Sequence, residues 1–152
     1  MYEFVDRPLT RQGESVRLLV WAMRRWVRAA DNGGRVSGLV AGAFACARVA
    51  GAAYPFTGAM RILLGNALVP LRIGAIGDPL VAEHEAVLLS ALSAATNGGT
   101  LECRAVARYL VRDDMAPALA WSLIRVAEVF SEAGMGVAPA ADQPARLGPP
   151  NA

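Results

Sequence analysis

A chain of 152 residues makes one domain, long enough to bury roughly 70% of the surface its unfolded form exposes, so neither a disulfide nor a metal is needed to hold it. Hydrophobic residues make up 55% of the chain and mean hydropathy is +0.35, yet the best apolar run, 36–47, stops at Arg48, short of the roughly 20 residues a membrane helix needs. The net charge of +2 is too small to mark a nucleic-acid binder.

Val16, Leu19, Val20, Met23, Trp26, Val27 and Ala30 recur at helical spacing with Arg17, Arg24, Arg25 and Arg28 between them, which predicts an amphipathic first helix over 16–30, begun by Thr10 or Ser15. Asn32-Gly33-Gly34 arrives where the pattern ends. Asn and Gly tolerate the left-handed conformation that closes a helix, whereas a phosphate cradle needs glycines leading into one, so a helix stop is expected. A second helix is predicted over 37–50, with Gly38 and Gly42 spaced for close packing. Pro55 restarts the chain, and Phe56, Met60, Leu63, Leu64, Ala67 and Leu68 line a third helix that ends before Pro70. Residues 70–79 read as a linker.

Asp78-Pro79 signals the start of a fourth helix, an acid at the N-cap followed by proline at the first helical position. Val81, His84, Leu88, Ala91, Leu92 and Ala95 share one of its faces before a second stop at Asn97-Gly98-Gly99. Thr100 is expected to cap a fifth helix containing Val106, Tyr109, Leu110 and Val111. Asp113 or Asp114 would cap a sixth, with Pro117 in its first turn, Leu119, Leu123, Val126, Ala127 and Phe130 buried, and Gly134 at its end. The helical domain is therefore 1–134, and the proline-rich residues 135–152 read as a disordered tail. The fold class is all-α, a bundle of five or six helices. Aligned at the two Asn-Gly-Gly stops, two three-helix halves also match in kind, with Val16 on Val81, Met23 on Leu88, Val27 on Leu92, Val36 on Leu101 and Phe44 on Tyr109.

All fifteen basic residues are Arg, which with the many alanines resembles the codon bias of a GC-rich genome. Residues 1–77 hold ten Arg against four acids and residues 78–134 four against eight, so the halves are expected to pack basic on acidic or to present one end to a charged partner. Cys46 and Cys103 read as buried small apolar residues rather than a bridge, and a lone His leaves no tetrahedral zinc set. The first fifteen residues carry acids where a signal peptide carries bases, and the expected compartment is the cytoplasm. "MYEFVDRP", "LLVWAMRRWV" and "EHEAVLL" together resemble small all-helical proteins of unknown function from GC-rich bacteria, over most of residues 1–134. That resemblance implies a helical fold and supplies no activity, cofactor or site.

Three features carry the functional reading. His84, the sole imidazole, lies beside Glu85; it reads first as a buried histidine satisfied by a carbonyl or carboxylate, and alternatively as a proton carrier or pH-sensitive ligand group held by Glu85. Arg17, Trp21, Arg24, Arg25 and Arg28 form a basic, aromatic stripe on the first helix, and Trp121 shares a strip with Arg125, Glu128 and Glu132 on the sixth. Indoles are normally largely buried, so other helices or the tail, a protein partner or second copy, or a nucleic acid or anionic membrane surface must cover these. Residues 47–64 have a faint helix-turn-helix outline, with Gly51 at the turn and Thr57 and Arg61 on the second helix. The expectation is a non-catalytic interaction or regulatory protein that meets a protein partner or a second copy through the first-helix stripe and Trp121. The alternatives are a DNA-binding regulator and a small-ligand binder or enzyme built around His84. No metal or cofactor is expected.

Overall fold

The computed structural model describes residues 3–32 and 35–140, and among them the chain forms six α-helices and no β-strand. They are α1 (Glu14–Asn32), α2 (Val36–Cys46), α3 (Ala53–Asn66), α4 (Glu83–Thr96), α5 (Leu101–Leu110) and α6 (Ala116–Glu132). The all-helical bundle is thus as its periodicity predicts, and none of these helices is long and apolar enough to cross a membrane.

Glycine ends the helices as expected wherever the stop is described. Gly98 (φ +87°) and Gly134 (φ +75°) take the left-handed conformation, which lets Gly99 N–H reach Ala94 O at 2.9 Å and Met135 N–H reach Phe130 O at 2.8 Å. At the first Asn-Gly-Gly, α1 runs to Asn32, and Gly33 and Gly34 lie outside the described residues. A third stop was not legible. Arg48 adopts φ +66° and Val49 N–H bonds Phe44 O at 2.9 Å, which ends α2 at Cys46 instead of residue 50.

Starts departed further from expectation, because chain pairing overrode local signals. Asp78 and Pro79 do not open a helix. Leu9 N–H bonds Pro79 O at 2.8 Å, Asp6 N–H bonds Val81 O and Val81 N–H bonds Arg7 O, both at 3.0 Å, so residues 79–81 are drawn out along the N-terminal segment and α4 begins at Glu83. The linker consequently spans 67–82. Thr100 stands before α5 and Met115 before α6, and neither position makes a side-chain capping bond; Asp114 instead lies 3.6 Å from Arg112.

The core explains these priorities. Every residue of α4 from His84 to Ser93 is buried, making it the central helix, with α1, α5 and α6 packed around it, where a one-sided stripe was expected. Helix α6 also packs on α3. The pair runs antiparallel, since Gly51 in the turn leading into α3 lies against Val129 and Gly58 of α3 against Ser122. Gly38 and Gly42 contribute no such close contact; both are exposed on the outer side of α2, whose buried face is Val36, Val40 and Phe44. Phe44 joins Phe56 at 5.4 Å and Phe130 at 5.9 Å between ring centroids, edge to face, so α2, α3 and α6 meet on one aromatic cluster.

The alignment of the two halves at the Asn-Gly-Gly stops does not pair burial with burial throughout. The 65-residue shift sets buried Val16 and Met23 on buried Val81 and Leu88, although Val81 precedes α4, but it sets half-buried Val27 on buried Leu92 and buried Val36 and Phe44 on Leu101 and Tyr109, which are 76% and 52% exposed. The 67-residue shift that takes Val36 to Cys103 places Phe56, Met60 and Leu63 on Leu123, Ala127 and Phe130, all buried.

Part of the expected tail belongs to the fold. Val137 is fully buried, its N–H bonds Thr96 Oγ1 at 3.3 Å, Ser15 Oγ donates to Gly136 O at 3.3 Å, and Ala140 N–H bonds Gln12 Oε1 at 3.2 Å. Residues 135–140 therefore strap α1 to α4; residues 141–152 lie outside the described residues.

The two thiols differ, correcting the expectation that both are buried. Cys46 is exposed, while Cys103 is buried with its Sγ donating to Ala91 O at 3.3 Å. Burial, and then the Glu102 carboxylate, push the Cys103 thiol up from 9.0 to about 11. A thiol reagent at neutral pH is accordingly expected to modify Cys46 alone in the native protein, with Cys103 reacting only on unfolding. The unfolded chain releases the Cys103 proton above pH 9.0 while the folded chain keeps it to about 11, so this group takes stability away as pH rises through that window. Cys103→Ala should remove that alkaline component of the unfolding profile.

Candidate functional site: a basic, aromatic groove

Helix α1 does not present the expected stripe. Arg24 is 3% exposed and Glu85 0%, and they form a forked ion pair with Nε–Oε2 at 2.7 Å and Nη2–Oε1 at 3.0 Å. The guanidinium also donates to Asp78 O at 2.7 Å and Leu80 O at 2.9 Å, while the carboxylate accepts from Gly74 N–H at 3.0 Å and Ala82 N–H at 2.8 Å. Both members are hydrogen-bonded on several sides, the condition for a buried ion pair to be tolerated. Gly74 is part of this arrangement: a Cβ there would stand 2.7 Å from Arg24 Nη2. Arg24 is therefore a strut that pins the linker between α1 and α4, and it is corrected from a partner-binding to a structural residue.

Its neighbours are partly withdrawn as well. Trp21 is half-buried against the core, with the Arg25 guanidinium 5.7 Å from its ring centroid and Arg25 Nε buried. Of the stripe, Arg17 and Arg28 are the exposed members. The Arg61 guanidinium of α3 lies 5.9 Å from the ring centroid of Trp26, and α3 buries Phe56, Ala59, Met60 and Leu63, so the helix-turn-helix outline yields a core helix whose one basic group rests on its own protein.

His84 and Glu85 do not make an acid–base pair. His84 is 3% exposed; Arg72 N–H donates to its Nδ1 at 2.7 Å, and its own backbone N–H bonds Arg72 O at 3.2 Å. The partner of the ring is thus a backbone amide, not the carbonyl or carboxylate expected, and a neutral ring carries its proton on Nε2, which is buried with no partner among the described residues. Glu85 faces away, its oxygens engaged by Arg24 and two amides. Neither residue lines either of the clefts described next.

One cleft, of about 850 Å³, lies between the N-terminal segment and α4, and its charged lining includes Arg72 and Glu83, themselves paired at 3.7 Å. The other, of about 660 Å³, runs between α5 and α6. Ala116 and Ala120 floor it, and their small side chains open the trough; Trp121 and Ile124 form one bank, Arg104 and Arg108 the other. Trp121 is 60% exposed. Arg104 and Arg108 stand one helical turn apart on the outside of α5, with no ion-pair partner among the described residues, and Leu101 continues their stripe at 76% exposure.

Of the sequence-predicted site residues, the fold therefore leaves Arg17, Arg28 and Trp121 on the surface, withdraws Trp21 and Arg25 in part, and places Arg24, His84 and Glu85 inside. Arg104 and Arg108 were missed. The signal that could have found them is the spacing of Leu101, Arg104, Ala105 and Arg108 on the face of α5 opposite Cys103, Val106 and Leu110. Comparison of the chain with protein-family models, with curated proteins and with solved structures finds no match in any of the three.

Proposed function

We propose that this protein is a non-catalytic binding module that takes a polypeptide partner in the groove between α5 and α6. One observation carries the reading: an indole 60% exposed and two guanidinium groups with no ion-pair partner among the described residues line one trough floored by alanine. Trp and Arg are the side chains that most often dominate binding energy at protein interfaces, because each couples a large contact area to directed hydrogen bonding. The interior ionisable groups support the non-catalytic side of the reading, since Arg24 and Glu85 are consumed in holding the linker and His84 is closed against its backbone.

A photo-crosslinking amino acid placed at position 121, and separately at position 21, tests this in cells. The expected result is a discrete crosslinked polypeptide from position 121, lost in an Arg104→Glu/Arg108→Glu background, and none from position 21. Crosslinking from position 21 alone, or from neither position, would overturn the groove as the binding surface.

A further inference from the structure

Resting on that reading, we infer that the groove's occupant is an acidic amphipathic segment, one that sets two carboxylates against Arg104 and Arg108 and an aliphatic or aromatic side chain on Trp121. The two guanidinium groups rise from positions one turn apart, about 5–6 Å between their Cβ atoms, which matches acids three or four residues apart on a helix. Each guanidinium offers a planar fork that pairs a carboxylate through two hydrogen bonds. Opposite them, Trp121, Ile124 and Pro117 make an apolar bank with no charge to pair, so the occupant needs one charged and one apolar side.

Charge separates this occupant from the other candidates. A second copy docked about a two-fold axis would bring the same arginine stripe into its own neighbourhood, and like charges there repel. A nucleic acid would meet Asp113 in the groove itself, and beyond the two arginines it would find no further free cation at its ends among the described residues, since Arg112 is paired with Asp114 at 3.6 Å and Arg125 with Glu128 at 3.2 Å. Residues 78–134 hold eight acids against four arginines, which disfavours a long polyanion but admits a short acidic patch placed on Arg104 and Arg108. Asp113 also gives direction, because a basic residue flanking the acidic pair in the occupant would find it.

The full chain panned against a library of random peptides tests the inference, with counter-selection on the Arg104→Gln/Arg108→Gln variant. Selected peptides are expected to carry paired Asp or Glu beside Leu, Phe or Trp, and to bind about tenfold or more weakly when the acids become Gln. Reversing both sides, Arg108→Glu in the protein and Lys in the peptide, should recover binding. Neutral peptides that still depend on Trp121 would overturn the acidic occupant while leaving the groove as the binding surface. Failure of any peptide to enrich, tighter binding of an oligo-dT strand than of the selected peptides, or self-association abolished by Trp121→Ala would each overturn the inference. Circular dichroism on the exposed-site variants checks that the fold is retained.

Discussion

Arg24→Met is expected to lower the unfolding free energy by about 3–5 kcal/mol, a large share of the roughly 5–15 kcal/mol that holds a domain folded. The substitution leaves the Glu85 carboxylate at 0% exposure with two amide donors and no cation, and strips Asp78 O and Leu80 O of their donor. Replacing both members of an isolated buried pair by apolar groups often restores stability. Here it should not. In Arg24→Met/Glu85→Leu the amides of Gly74 and Ala82 and both carbonyls still lose their partners, and each polar group that stays buried costs about 1–3 kcal/mol. Arg24→Lys should fall between, because an ammonium cannot fork to the carboxylate and two carbonyls together. Urea unfolding followed by fluorescence measures all three, and a double variant as stable as the parent would show that the pair does nothing for the linker beyond neutralising itself.

Phe44→Ala should cost a similar amount, about 3–5 kcal/mol from lost burial and the cavity left behind. Its ring is fully buried and makes edge-to-face contacts with Phe56 of α3 and Phe130 of α6, contacts worth about 0.5–1.5 kcal/mol per pair beyond area. Helix α2 has little else to hold it, since Gly38 and Gly42 each reduce helix propensity by about 1 kcal/mol and only Val36, Val40 and Phe44 face inward. Amide hydrogen exchange should therefore accelerate first in α2, while α4 at the centre keeps its protection. Phe44→Leu, nearer in volume, should lose much less. A loss under about 1 kcal/mol for Phe44→Ala would mean the aromatic cluster is not what docks α2.

Much of the architecture was legible because its causes are local. Apolar spacing marked the inward face of α6, most of that of α1, and Phe56, Met60 and Leu63 of α3, whereas Ala67 and Leu68 lie exposed past the end of α3 at Asn66; Gly98 and Gly134 announced helix ends through the one conformation they adopt easily. The site was legible only in part. Trp121 stood out as an indole on a charged strip, and it does border the groove. Arg24 shared the stripe of Arg17 and Arg28 by helical spacing, yet its partner is 61 residues away and its other acceptors are linker carbonyls, which carry no residue signature. Val137 looked like one more residue of a proline-rich tail until the slot between α1 and α4 received it.

By itself the sequence determined the helical class, the inward faces of most helices, two of the three glycine- or arginine-closed ends, and that no helix among the described residues is long and apolar enough to span a bilayer. Only the tertiary structure decided that α4 is buried from His84 to Ser93, that the linker is drawn out along the N-terminal segment, that Arg24 is interior, and that Arg104 and Arg108 line one groove with Trp121. The division follows the range of the forces. Helical repeat and capping act over three or four residues and leave a pattern in the chain, whereas the choice of partner for a buried charge or an exposed ring depends on which distant backbone happens to arrive beside it.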